Sequence, residues 1–317
     1  MKLLIQIPCL NEAQNLPDVL GDLPRTIQGV DSVEVLVIDD GSTDGTADVA
    51  RAHGADHVVR LPTSRGLAAA FARGLQASLE LGADVIVNTD GDHQYRGEDL
   101  PRLVQPILQG TADMVVGDRQ IDTIRHFSPL KKWLQKTGTL VVRWASRTSV
   151  PDATSGFRAF SRETALRLEI FSTYTYTLET IIQAGRKGLT VVSVPVGTNE
   201  IRRRSRLIKS VPSYVLRSAV TILRLFLMYE ALRAFVFLGT LPFLAGLFLL
   251  GRFLYFYAIG DGIGHVQSLI VASILVVLGF QTFLLGLLGD LIAKNRHLSE
   301  EANYRLKKAE VGPDGRQ

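Results

Sequence analysis

Residues 87–95 read VNTDGDHQY, and the two aspartates of this stretch, Asp90 and Asp92, flank one glycine at the end of an apolar run. Carboxylates placed that close repel each other unless a positive charge lies between them. With the side-chain amide oxygen of Gln94 they make a set of hard oxygen donors, suited to Mg2+ or Mn2+ rather than zinc. Gly91 keeps bulky side chains away from the pair. Mg2+ keeps few protein ligands and takes phosphate oxygens for the rest, so a nucleotide diphosphate is the partner this set implies. An acidic surface turn is the plainer alternative. His93 receives no role, because its neighbours suffice without it.

Two other polar clusters follow apolar runs. Pro8, Cys9, Leu10, Asn11 and Glu12 follow the first, and residues 38–46, IDDGSTDGT, close the second. Asp39 lies where a carboxylate can accept from a base N–H or a ribose hydroxyl. Asp40, Gly41 and Ser42 read as a turn, with Ser42 or Thr43 capping the next helix. No G-x-G-x-x-G follows the first run and no G-x-x-x-x-G-K-[ST] occurs, which disfavours dinucleotide and Walker-type sites.

The elements that must position these clusters alternate. Strands are expected at 3–8, 33–39, 57–61, 84–89, 113–117 and 190–196, with helices at 13–28, 43–53, 65–81 and 98–109. Near-continuous apolar strands between helices predict an α/β, doubly wound parallel sheet. Ligands in such sheets bind beyond the carboxyl ends of the strands, which is where all three clusters fall.

The remainder is different in kind. Residues 234–259 and 266–289 are apolar runs long enough to span a bilayer. Arginines and lysines flank both runs on their outer sides, whereas the joining GDGIGH has none, so the positive-inside rule puts both ends in the cytoplasm. Residues 211–232 set arginines among apolar residues at helical spacing and read as an amphipathic helix in the membrane interface, a core helix being the alternative. The chain has 317 residues and a formal net charge of +4, a weak pull towards acidic surfaces. MKLLIQIP enters a strand too soon for a secretion signal. The single cysteine, Cys9, allows no internal disulfide, fits a reducing compartment and reads as a small buried hydrophobe. Gly279, Gly286 and Gly289 would let another helix approach, which makes a homo-oligomer an expectation too.

Pro8 with Asn11-Glu12, residues 37–42 (VIDDGS) and Asp90-x-Asp92-x-Gln94 together resemble the family-2 glycosyltransferases of GT-A fold. VVGDR (115–119), TSGFRAFSRE (154–163) and the two apolar runs further resemble the polyprenyl-phosphate subgroup, which includes dolichyl-phosphate mannose synthases and bactoprenyl glucosyltransferases. The likeness covers residues 1 to about 295, and departs mildly at Gly91 and His93, where the family commonly has Ala and Leu. It implies a GT-A, Rossmann-like nucleotide-sugar domain at 1–210, amphipathic interface helix at 211–233, a two-helix transmembrane domain at 234–293 and a basic cytoplasmic tail at 294–317, in the plasma membrane of a prokaryote.

The resemblance also implies an inverting hexosyl transfer from a nucleotide-sugar, GDP-mannose or UDP-glucose, to a polyprenyl phosphate. By position, Pro8, Asn11, Glu12, Asp39, Asp40, Asp90, Gly91 and Asp92 would line the donor. Asp90, Asp92 and Gln94 would hold Mg2+ or Mn2+. Arg119, Ser155, Arg158, Arg202 and Arg204 would meet the acceptor phosphate, and Asp92, Arg119 and Asp152 would carry catalysis. Asp152 matches a position proposed as base, yet a phosphate monoester has its second pKa near 6 and is already mostly dianionic at neutral pH, so an orienting role stands equally open. Glu179 has a structural and a site reading of equal weight. No nucleic-acid partner is expected. A processive polysaccharide synthase is the rival enzyme, although Gln135 is too far from Arg143-Trp144 to form its Q-x-x-R-W. A membrane scaffold without catalysis is the rival from another class.

Overall fold

The computed structural model describes residues 1–120, 129–172, 176–199, 211–260 and 263–312. Two compact units result, Met1–Ile222 together with Ala302–Gln317, and Leu223–Glu301.

The first unit alternates β1 (Lys2–Cys9), α1 (Leu16–Asp22), β2 (Ser32–Asp39), α2 (Thr46–Ala52), β3 (His57–Arg60), α3 (Leu67–Glu80), β4 (Val85–Asn88), α4 (Leu100–Leu108) and β5 (Met114–Asp118). It continues with α5 (Pro129–Ser146), β6 (Arg158–Ser161), α6 (Arg162–Arg167), α7 (Thr177–Arg186) and β7 (Val191–Pro195). The seven strands form one sheet in the order β3-β2-β1-β4-β6-β5-β7. Every pairing is parallel except those of β6, which runs antiparallel to β4 and β5. The sheet is therefore mixed where a wholly parallel one was expected. Helices cover both faces, so Leu3, Leu4, Ile5 and Ile7 of β1 are all fully buried, the reason the strand reads as an unbroken apolar run.

One local expectation is corrected, and at Glu179 the structural alternative finds its partners. The helix α2 starts at Thr46 behind Gly45, whose φ is +84°, so neither Ser42 nor Thr43 caps it. The Ser42 hydroxyl is used elsewhere, accepting the Asn11 N–H at 2.8 Å. Glu179, 1% exposed in the first turn of α7, accepts the N–H groups of Phe171 and Ser172, a structural role.

The second unit is made from parts of two long helices, α8 (Val211–Ala258) and α9 (Val266–Val311). The helix α8 breaks at Glu230 (φ −136°, ψ 35°), a little before the expected boundary at 233. No break marks the expected boundary at 293. The helix α9 runs on, and from Ala302 it belongs to the first unit. There Tyr304 donates to both carboxylate oxygens of Glu163, Lys307 reaches Glu169 at 2.7 Å, and Arg162 donates to the Gly312 carbonyl. Part of the basic tail thus forms a clasp on α6 and the residues after it.

Between α8 and α9 the contact runs through small residues. A Cβ on Gly279 would lie 2.6 Å from Phe243 Cβ, one on Gly246 2.8 Å from Val276 N, and one on Gly289 2.7 Å from Ala231 Cβ. Gly279, Gly286 and Gly289 are thus taken up by the contact between α8 and α9. Large apolar side chains of this unit face outward on both helices, Phe237 at 84% exposure and Phe248 and Ile292 close behind. Both helices are long and apolar enough to cross a membrane, and an apolar surface of this extent is at odds with water.

Candidate active site

At the centre of the sheet β2, β1 and β4 lie side by side, and their carboxyl ends bring the three polar clusters together. The register pairs Cys9 with Asp39 and Gln6 with Asn88. Asp39 is 1% exposed. Its Oδ1 accepts the Ser42 N–H at 2.8 Å, while Oδ2 is buried without a hydrogen-bond donor. An acceptor left open in this way is costly unless a ligand completes it. Arg60, the register neighbour of Asp39 at the end of β3, brings its Nε to 3.3 Å from that oxygen. Sequence reasoning missed Arg60, although a lone cation closing an apolar strand at the ligand end of a sheet is a readable signal.

Asn11 and Glu12 brace the loop after β1. Asn11 adopts φ +55°, accepts the Thr43 N–H through its side chain and ties the loop after β1 to the loop after β2. The Glu12 carboxylate receives the Asn15 amide, and its Cγ lies 3.3 Å from where a Gly91 Cβ would stand. The same Cβ would meet Cys9 Sγ at 2.8 Å, so Gly91 is small because the end of β1 presses on it. Pro8 lies in the buried end of β1. The two oxygens of Asp40 accept from Ser64 Oγ and from the N–H groups of Arg65 and Gly66, which fixes the loop before α3.

Asp90 and Asp92 follow β4. Burial, and then the charge of Asp92, push the Asp90 carboxyl up to about 7, against the pull of Arg119 and Arg158. Asp92, although exposed, is raised as well, by desolvation on the side that faces the chain. Each carboxylate is thus disfavoured as an anion, the condition a divalent cation relieves. The Gln94 side-chain amide makes no hydrogen bond among the described residues, and a Cβ on Gly156 would lie 2.7 Å from Asp90 Oδ2. Three hard oxygen donors and a cradle kept open by a glycine fit a Mg2+ or Mn2+ ion.

A second charged pair lies within electrostatic reach of Asp90. Arg119 clamps Asp152 through Nε (2.7 Å) and Nη2 (3.0 Å), and Nη2 also reaches Thr154 Oγ1 at 2.7 Å. Its Nη1 carries no hydrogen bond among the described residues. Asp152 is fully buried. Burial alone would raise its carboxyl, but the charge and hydrogen bonds of Arg119 outweigh this and hold it below the usual range. Ser155 is buried beside it. Tyr95, missed in the sequence, supports the loop by accepting the Gly156 N–H at 2.8 Å, and burial pushes its hydroxyl up to about 12.

Arg158 is fully buried and donates to the carbonyls of Ser155, Ala153 and Thr177 and to Thr180 Oγ1. It ties the 153–155 loop to the start of α7. Arg202 and Arg204 lie outside the described residues.

Known proteins resemble this chain in sequence and fold. Residues 4–167 match glycosyl transferase family 2. An undecaprenyl-phosphate mannosyltransferase of Micrococcus luteus is 33% identical over 206 residues, covering 62% of this chain and 83% of that protein. A polyprenol monophosphomannose synthase of Mycolicibacterium smegmatis is 32% identical, covering 62% of this chain and 77% of that protein. The solved structure of glucosyl-3-phosphoglycerate synthase from Mycobacterium tuberculosis with Mn2+, UDP-glucose and phosphoglyceric acid aligns at 26% identity. Its TM-score is 0.54, over 71% of this chain and 79% of that one.

Proposed function

Since the chain belongs to glycosyl transferase family 2 and is a glycosyltransferase of GT-A fold, we propose that it moves a hexose from a nucleotide-sugar to the phosphate of a membrane polyprenol, with inversion at the anomeric carbon. The observation that carries this reading is that the Asp90 and Asp92 carboxylates, the first pressed against Gly156, lie within electrostatic reach of the Arg119–Asp152 pair. The carboxylates suit a cation on a diphosphate, the pair an anion.

In the reaction the bond from the anomeric carbon to the diphosphate breaks and its electron pair leaves with the nucleotide. An acceptor phosphate oxygen forms the new bond from the opposite face. Asp39 Oδ2 receives a base N–H or ribose hydroxyl. A divalent cation on Asp90, Asp92 and Gln94 would supply charge to the departing diphosphate, an effect worth several kcal/mol in such sites. Arg119 offers Nη1 to phosphate, and a guanidinium clamped on its other edge loses little freedom in doing so. Asp152 orients Arg119. A carboxyl held that low is a poor base at neutral pH, and a mostly dianionic acceptor needs none.

The relatives' names favour mannose, so GDP-mannose is the leading donor and UDP-glucose the next. The chain leaves the first unit before Leu223 and re-enters it by Ala302, which supports a two-span hairpin with both ends on the cytoplasmic side, as does the arginine distribution. The test is the purified chain in detergent with Mg2+ or Mn2+, a short polyprenyl phosphate and single nucleotide-sugars, read by mass spectrometry. Lipid-phosphate-sugar from one donor, lost on chelation and reduced about 100-fold or more in Asp92→Asn, is the expected result. Nucleotide diphosphate released without glycolipid would overturn the acceptor, and loss of metal dependence with full activity in the variant would overturn the site.

A further inference from the structure

We propose that the outward face of α5 seats on an anionic bilayer surface and so fixes the depth at which the Asp152–Gly156 loop meets a lipid phosphate. The inference deepens the reading above and rests on it for the acceptor alone.

The described part of α5 is two-faced. Thr139, Val142, Ala145 and Ser146 are buried, while Leu140, Val141 and Trp144 are exposed. Spaced i, i+1, i+4, these three share one side of the helix. Arg143 and Arg147, exposed as well, border them. Leu140 and Trp144, at 64%, are the most exposed large apolar side chains among the described residues up to 199. An apolar strip with a tryptophan, edged by arginines whose stems can lie along it, is the pattern of a helix resting in the headgroup region.

Position in the chain gives the strip its meaning. The helix α5 lies between Arg119 and Asp152, the two halves of the anion-facing pair. Its inner face holds the loop that follows, since Thr139 Oγ1 accepts the Ala153 N–H and Arg186 on α7 donates to the Ala145 carbonyl at 2.6 Å. A carbon added to Gly185 of α7 would collide with the Ser146 carbonyl, so α5 and α7 are in close backbone contact. Whatever α5 rests on sets the level of Thr154 and Gly156.

The occupant is lipid rather than a second copy of the chain. Stacking this face on itself would set Arg143 and Arg147 against their equals, and like charges across an interface are costly. One tryptophan and two aliphatic side chains also fall well short of the roughly 800 Å2 per partner that a stable protein interface buries. Anionic headgroups match both the arginines and the strip.

The experiment uses the full chain reconstituted in phosphatidylcholine–phosphatidylglycerol vesicles. Trp133→Phe leaves Trp144 as the one tryptophan. Its fluorescence is expected to fall at least twofold with lipids brominated high on the acyl chain, and less so for Arg143→Gln in neutral vesicles. A nitroxide on Leu140→Cys reports the same depth with both tryptophans kept. Trp144→Ser is expected to raise the KM for polyprenyl phosphate about tenfold while leaving slow donor hydrolysis by water unchanged. Equal fluorescence in brominated and plain vesicles, or a Trp144→Cys disulfide linking two chains, would overturn the proposal. The depth measurement needs no turnover, so failure of the lipid-phosphate reaction is seen separately.

Discussion

Arg119 and Asp152 are nearly buried, and each satisfies the other. Removing one charge from such a pair leaves its partner uncompensated, which costs about 3–5 kcal/mol. Asp152→Asn is therefore expected to lower stability by that order, measured by denaturant unfolding in detergent, in addition to any loss of turnover. The pH course gives a second check. The folded Asp152 carboxyl lies below its unfolded value of about 3.9, so its contribution is fully present above that value and disappears only as pH falls through the folded pKa. The gap between the native chain and the variant is expected to stay constant from pH 8 to 5. A gap that closes near neutral pH would mean Asp152 titrates there and serves as base after all. At this scale the sequence was readable for residue type and blind to burial. Arg158 and Arg119 look alike in their motifs, yet Arg158 is drawn inward by Thr177 and Thr180, some twenty residues further on, a pairing no local pattern discloses.

Among the elements, loops carry the site and strands aim them. The loop 153–156 comes so close to the end of β4 that Gly156 has no room for a methyl group beside Asp90. Gly156→Ala is expected to weaken Mn2+ affinity about tenfold, read by titration calorimetry, with loss of about 1–3 kcal/mol of stability from overpacking. Unchanged affinity would mean that Asp90 does not hold the metal. Six of the seven strands were legible because long apolar runs bounded by Gly, Asp and Pro leave few alternatives. The strand β6 escaped because it begins with a buried arginine and runs against its neighbours. The cap of α2 escaped for a related reason. Ser42 has a competing partner in Asn11, thirty-one residues earlier, and a capping rule weighs only near neighbours.

For the molecule as a whole, the hairpin reading makes a prediction that needs no substrate. In intact cells a membrane-impermeant maleimide is expected to label Ile259→Cys, next to the turn between α8 and α9, and to label Leu298→Cys only after permeabilisation. The reverse pattern would overturn the orientation. Native Cys9 stays silent in this assay, because it is buried and burial pushes its thiol well above the usual range, leaving too little thiolate to react. The clasp of Tyr304, Lys307 and Gly312 on α6 has a consequence for biosynthesis. Residues 1–222 leave the ribosome first, but the segment that grips Glu163, Glu169 and Arg162 emerges only after both apolar helices have been made. On the hairpin reading, a chain whose second helix stopped short or entered the wrong way round would hold that segment across the bilayer from Glu163, Glu169 and Arg162. Closing the clasp would then be the last step of folding, open only to a chain whose anchor had inserted correctly.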